Sequence, residues 1–113
     1  MRTSKEIAAL AVQALEDKKG QKIKVLETEK VTVLADYFVI CTASSTTHVK
    51  TLADAVEKLL EESGEQLLHR EGYRAGGWVL LDYGAVVVHL FLEEAREFYN
   101  LERLWADAKE VTF

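Results

Sequence analysis

The sequence contains no proline, one cysteine and no long apolar run. Because Cys41 has no second cysteine to pair with, an internal disulfide is excluded and a reducing cytoplasmic location is favoured. No apolar stretch approaches the ~20 residues that a membrane helix requires. The polar first residues, 1–6, predict no signal peptide. Low-complexity stretches and internal repeats are also missing, and a length of 113 residues predicts a single domain over 1–113.

Basic residues are scarce in the C-terminal part of the chain. Residues 71–113 hold eight acidic and four basic side chains, so most of the formal net charge of −5 lies there. Binding to a phosphate backbone depends mainly on Lys and Arg, so little direct contact with nucleic acid is expected. Two interpretations remain: this acidic part binds a basic protein surface, or it is a solvated face that keeps the protein soluble.

Apolar residues at helical spacing predict two long helices. Thr3-x-x-Glu6 has the form of a capping box and begins the first helix at about residue 4. That helix should end near residue 19, with a cationic last turn and Gly20 as its left-handed stop. The second should begin among residues 44–47, which offer several N-caps, and end at Gly64.

Alternating and continuous apolar runs predict five strands. They lie at 22–26, at 36–42, at 66–70 and in the two arms of a hairpin within 76–91. The tail at 93–105 predicts one or two short helices broken near Asn100. The order is α-β-β-α-β-β-β-α, which predicts an α+β domain with a mixed sheet and both long helices on one face.

The hairpin is apolar on both of its faces. In the first arm, alternation places Trp78, Leu80 and Asp82 on one side and Val79, Leu81 and Tyr83 on the other. The second arm divides in the same way into Val86, Val88 and Leu90 against Val87, His89 and Phe91. Since an antiparallel hairpin over a core usually keeps one face polar, the second face needs an explanation.

The width of the sheet predicts that this second face stays partly bare. Five strands span about 24 Å, and roughly two helices of about 10 Å cover one face. An uncovered apolar strip around Trp78 is typical of a binding surface and favours a weak homodimer when the protein is free. The alternative is that the tail folds back over it with its apolar residues, Phe98, Leu101, Leu104 and Trp105.

Three segments resemble one family. They are ADYFVICTASS (35–45), EGYRAGGWVLLDYGAVVVHLF (71–91) and REFYNLERLW (96–105), and together they are similar to the Iojap family, whose bacterial members are the ribosomal silencing factors. The resemblance implies a small α/β domain of nucleotidyltransferase-like topology. It also implies a cytoplasmic translation repressor that binds the fourteenth protein of the large ribosomal subunit. Docked there, it would block joining of the small subunit when nutrients are short.

The resemblance also implies which residues meet this basic ribosomal protein. They are Trp78, Leu81, Asp82, Tyr83, His89 and Phe91, with Glu93 and Arg96 beside them. Alternation places Trp78 and Asp82 opposite Leu81 and Tyr83, so a bulge at 82–84 or a site at the strand ends would be needed to unite them.

The sequence offers little for catalysis. A nucleotidyltransferase-like enzyme is the alternative function, but it needs clustered carboxylates for metal and a Gly-Ser phosphate loop. The sequence has no Gly-Ser pair and no Asp-x-Asp, and Glu27-x-Glu29 is the nearest substitute. We therefore expect no enzyme and no cofactor.

The sequence likewise offers no recognisable metal motif. His48, His69, His89 and Cys41 match no ligand spacing, so we expect no metal. Cys41 itself is interpreted as a small buried hydrophobe.

Overall fold

The computed structural model describes residues 2–30, 35–99, 103 and 108–113. The elements, in chain order, are α1 (Ser4–Asp17), β1 (Gln21–Glu27), β2 (Tyr37–Ala43), α2 (Thr46–Glu62), β3 (His69–Glu71), β4 (Trp78–Asp82), β5 (Val86–Leu92), α3 (Glu93–Tyr99) and β6 (Lys109–Val111). No helix in these ranges is long and apolar enough to cross a membrane.

The first helix begins as predicted and ends differently. Thr3 and Glu6 form the capping box: the Thr3 hydroxyl accepts the Glu6 N–H at 3.2 Å, and the Glu6 carboxylate accepts the Thr3 N–H at 3.0 Å. The helix ends at Asp17 without a cationic last turn, and Lys19, not Gly20, has the left-handed φ of 62°. Gly20 is needed for space, because a Cβ there would lie 2.5 Å from the Cys41 sulfur.

The second helix follows the prediction closely. Ser45 is its N-cap, and its hydroxyl accepts the N–H of His48 at 3.1 Å. Gly64 follows the helix with a φ of 88° and donates its N–H to Glu61. A residue without a Cβ is favoured there because this conformation strains other side chains.

The sheet is mixed and has six strands rather than five, in the order β3-β4-β5-β2-β1-β6. β2 and β5 run parallel at the centre, and the other neighbours are antiparallel. The missed strand, β6, pairs with β1. It has three residues, of which only Val111 is apolar, so it carries no periodic signal. β3 is also shorter than predicted, and all three of its residues are exposed.

Both long helices pack on one face of the sheet, as predicted. The core on this side, here called the helix-side core, is built of aliphatic residues from α1, α2 and the central strands. Its fully buried members include Leu15, Val39, Leu52, Val56, Leu60, Leu81 and Leu90.

The opposite face, here called the second face, is mostly buried, and the bare part that the sequence predicted is confined to one edge. Its core contains Leu26, Ala35, Phe38, Ile40, Val87 and Phe91. Ala95 of α3 and Ala108 pack against this cluster, which explains part of the cover. Only Trp78 and Leu80 of β4 remain half-exposed there among the large described side chains.

The predicted tail is only partly described. α3 begins at Glu93 as expected and reaches Tyr99. The proposed cover by Phe98, Leu101, Leu104 and Trp105, and the break near Asn100, lie outside the described residues and side chains.

Candidate functional site

The β4–β5 hairpin has a regular register that confirms the predicted alternation. Trp78 pairs with Phe91, Leu80 with His89 and Asp82 with Val87, so these residues share the second face. The intervening pairs, Val79 with Leu90 and Leu81 with Val88, point into the helix-side core. No bulge therefore unites the two sets of predicted contact residues within β4 and β5.

Among the described side chains, Trp78 is the accessible aromatic residue of the second face. Its ring stacks on Phe91 with centroids 5.0 Å apart, and its indole N–H donates to Nδ1 of His89 at 3.2 Å. The backbone of Trp78 itself lies against Gly72, whose φ is 77° and where a Cβ would overlap the carbonyl oxygen of Trp78. The glycine-containing loop thus lets the chain deliver Trp78 to the edge of the sheet.

His89 and Phe91 lie beneath Trp78 rather than at the surface. His89 is 5% exposed and Phe91 is 1% exposed. Burial lowers the pKa of His89 from 6.5 to about 4, because the low-dielectric surroundings disfavour the imidazolium. A neutral histidine among aromatic rings contributes packing and one hydrogen bond, not charge.

Asp82 is half-buried at the turn end of the same strand. Its Oδ1 accepts the N–H of Gly84 at 2.7 Å, and Gly84 has a φ of 85° at the first central position of the two-residue turn. This matches a type II′ hairpin, which requires glycine there. The carboxylate of Asp82 therefore stabilises the turn in addition to any role at a partner.

Leu81 and Tyr83 face the other way. Leu81 is 0% exposed and belongs to the helix-side core. Tyr83 is nearly buried, and burial, followed by the charges of Glu57 and Glu61, raises the pKa of its hydroxyl. Neither side chain shares a surface with Trp78.

Glu93 and Arg96 lie at the start of α3, against the bulged beginning of β1. The carboxylate of Glu93 is 2.7 Å from the ammonium of Lys22. Arg96 is buried and donates to the carbonyl of Lys22 at 2.6 Å and to the Thr42 hydroxyl at 2.7 Å. Arg96 thus joins α3 to β1 and β2, whereas Glu93 is available at the surface of an adjoining groove of about 570 Å³.

The accessible part of the predicted site is smaller than the resemblance implied. We call Trp78, Leu80 and Asp82 the second-face strip, because they are the half-exposed residues of β4 on that face. Leu80 was not among the residues implied by the resemblance. Strand alternation alone was the signal that placed it beside Trp78 and Asp82.

His48, His69 and Cys41 have different surroundings. His48 accepts the Ser44 N–H and contacts the Lys18 carbonyl, both at 2.9 Å, while His69 contacts Glu71 at 2.9 Å. Burial raises the pKa of the Cys41 thiol to about 12, so it is an unreactive core residue. The described residues contain no group of three or more His, Cys, Asp or Glu that could hold a metal ion.

Comparison with known proteins supports the resemblance over the full length. The family model described as "Ribosomal silencing factor during starvation" matches residues 1–113. A ribosomal silencing factor RsfS of Halalkalibacterium halodurans is 39% identical over 109 residues, covering 96% of this chain and 93% of that protein. The chloroplastic protein Iojap of Arabidopsis thaliana is 33% identical over 95 residues, covering 84% of this chain and 40% of that protein.

A solved structure gives the same result for the fold. The crystal structure of a Chromobacterium violaceum protein superimposes with a TM-score of 0.92 at 40% identity, covering 99% of this chain and 92% of that one. The predicted resemblance is confirmed, and the chain belongs to the RsfS family of ribosomal silencing factors.

Proposed function

We propose that this chain represses translation in the cytoplasm by binding the large ribosomal subunit through its fourteenth protein, where it blocks joining of the small subunit under nutrient limitation. The full-length match to the silencing-factor family carries the proposal. That membership favours a regulator over a nucleotidyltransferase-like enzyme, as the sequence predicted from its missing carboxylate cluster.

The second-face strip provides the docking surface in this proposal. Trp78 presents one side of a large ring while the other side rests on Phe91. Tryptophan is enriched among the interface residues that carry most of the binding energy. Leu80 extends the apolar contact, and Asp82 places a carboxylate at its end, where a Lys or Arg of a basic partner can pair with it.

The charge distribution favours a basic protein over RNA as the direct contact. Residues 71–113 contain eight acidic and four basic side chains. Such an excess of acidic side chains attracts a basic protein and repels phosphate groups. Glu93 at the start of α3 adds a half-exposed carboxylate, although it is paired with Lys22.

The remaining implied contact residues act from within the fold in this proposal. Leu81 and Tyr83 support the hairpin from the helix side, and His89 and Phe91 lie directly beneath Trp78. Arg96 holds α3 against the sheet. Substituting any of these residues would therefore affect binding by shifting the second-face strip.

The weak homodimer of the free protein stays a prediction. The exposed apolar surface that would support it is smaller than the sequence suggested. Among the described large hydrophobic residues, only Leu68 at 61% and Phe113 at 45% are well exposed. Sedimentation of the free protein across a concentration series measures this directly, and a strict monomer would remove the prediction.

Co-sedimentation with purified large and small subunits, each alone, tests the proposed function. The protein should pellet with the large subunit only, and its presence should reduce the fraction of joined ribosomes when small subunits are added. Trp78→Ala should weaken large-subunit binding by about 2 kcal/mol or more, some thirtyfold.

Two variants serve as controls for this experiment. Tyr73→Ala truncates another half-exposed aromatic residue, whose hydroxyl donates a hydrogen bond to Asp54 on the helix side. Glu62→Lys reverses the charge of an exposed residue at the end of α2. Both should bind normally. Binding to the small subunit alone would contradict the function, whereas normal binding by folded Trp78→Ala would contradict the choice of surface.

A further inference from the structure

His89 is a polar residue buried in an otherwise aromatic part of the second face. Its ring centroid lies 5.1 Å from that of Phe38, 5.9 Å from that of Trp78 and 6.0 Å from that of Phe91. At 5% exposure it does not reach a partner. The reason for a histidine at this position must therefore lie inside the cluster.

The direction of the hydrogen bond to Trp78 fixes the state of the ring. An indole N–H can only donate, so Nδ1 of His89 is the acceptor at 3.2 Å. In a neutral imidazole the proton then sits on Nε2. Nε2 is buried and has no hydrogen-bond partner in the described part of the chain.

This arrangement is costly for a residue that only fills space. A buried donor without a partner carries a desolvation penalty, which a phenylalanine or leucine at the same position would avoid. What histidine supplies, and those side chains cannot, is an acceptor facing the indole of Trp78. The unsatisfied Nε2 accompanies that acceptor.

We propose that His89 is a positioning residue, which holds the indole of Trp78 in its docking orientation before the partner arrives. The inference rests on the proposed function, because it assigns Trp78 as the anchor. A side chain that is already ordered loses less conformational freedom on binding. Losing this order should weaken large-subunit binding about 2- to 12-fold, the range for immobilising one flexible side chain.

The bond itself is tested first in the free protein by NMR. The sequence has two tryptophans, so Trp105→Phe leaves one indole signal to observe. A coupling across the hydrogen bond between Nε1 of Trp78 and Nδ1 of His89 should be visible in otherwise unmodified protein. Its absence, with a rapidly exchanging indole proton, would overturn the proposal without any variant at position 89.

Substitutions at position 89 then test the positioning role. His89→Phe keeps a ring but removes the acceptor, so the indole proton should exchange roughly 2- to 12-fold faster, the protection expected of one hydrogen bond. His89→Asn places an oxygen acceptor at the position of Nδ1 and should recover part of that protection and of large-subunit affinity.

Phe38→Leu is the matched control, because it removes a ring edge from His89 and leaves the hydrogen bond in place. It should lower stability without changing the indole signal or the affinity of the folded protein. If the Trp78 indole proton exchanges no faster in His89→Phe, the inference is overturned. Faster exchange with full affinity for the large subunit would overturn it as well. Full affinity in Trp78→Ala would instead contradict the proposed surface, while the NMR result on the bond would stand.

Discussion

The two faces of the sheet differ in what fills them. The helix-side core is aliphatic, lies under two long helices and includes many side chains with no exposure. Among the described residues, the second face has a smaller core with aromatic rings, a buried histidine whose Nε2 has no hydrogen-bond partner, and a half-exposed edge at Trp78 and Leu80. The helix-side core thus resembles the interior of a domain. The second face combines packed rings with polar groups that are held by hydrogen bonds, such as His89 and the indole N–H of Trp78.

This difference separates residues that stabilise the fold from residues that are available to a partner. Within β4, neighbouring side chains belong to opposite categories, since Leu81 is enclosed and Leu80 is not. The contact residues implied by the family resemblance include both kinds of residue. Their burial in the structure distinguishes those that stabilise the fold from those that a partner can reach.

The largest expected effect is on the helix side. Leu81→Ala should lower the free energy of unfolding by about 2–5 kcal/mol, because it leaves a cavity in a closed core. Leu80→Ala, one residue away, should cost less stability yet weaken large-subunit binding. Denaturant unfolding and co-sedimentation measure the two quantities. Equal stability losses, or a binding defect confined to folded Leu81→Ala, would contradict the assignment of the faces.

Acid should destabilise the protein through His89 on the second face. The pKa of His89 is lowered to about 4 from 6.5, so between these values the unfolded chain binds a proton that the folded protein does not. Stability should therefore fall as pH drops from about 6.5 to 4, by on the order of 3 kcal/mol from this residue. Denaturant unfolding over this range should show a shallower loss in His89→Phe. Parallel profiles for the two proteins would contradict the prediction.

The loop that leads to Trp78 provides a comparison between two glycines. Gly72→Ala should destabilise the protein by about 1–2 kcal/mol from its left-handed conformation alone, and by more because the new Cβ meets the backbone of Trp78. A Cβ at Gly77 would have no atom within 4 Å, so Gly77→Ala should be close to neutral. Thermal melting of both variants measures the difference. Similar melting temperatures would show that the loop adapts.

The smallest effect is a loss of binding expected from Asp82, at the end of the second-face strip. Asp82→Asn keeps the oxygen that accepts the Gly84 N–H and removes only the charge. Binding to the large subunit should weaken by about 0.2–1 kcal/mol, and more at low salt, where charges are less screened. Glu62→Gln on α2 is the control for lost charge and should change nothing. A loss that is independent of salt would argue against an ionic contact at Asp82.

Several elements could be predicted from the sequence because their signals are local. The capping box of Thr3 and Glu6, the N-cap of α2 and the alternation of β4 and β5 depend on neighbours within a few residues. The six-stranded sheet could not be predicted, since β6 forms only through its pairing with β1. The end of α1 was also mistaken, because Lys19 rather than Gly20 has the left-handed φ, and Gly20 is needed for space beside the distant sulfur of Cys41.

The candidate site divides in the same way. The sequence by itself determined which hairpin residues share a face, because side chains alternate along a strand. It also determined the acidic character of the C-terminal part of the chain. Only the tertiary structure decided that His89, Phe91 and Arg96 are enclosed while Trp78 and Leu80 are half-exposed. Exposure depends on which distant segments pack over a face, and that arrangement is set by the whole fold.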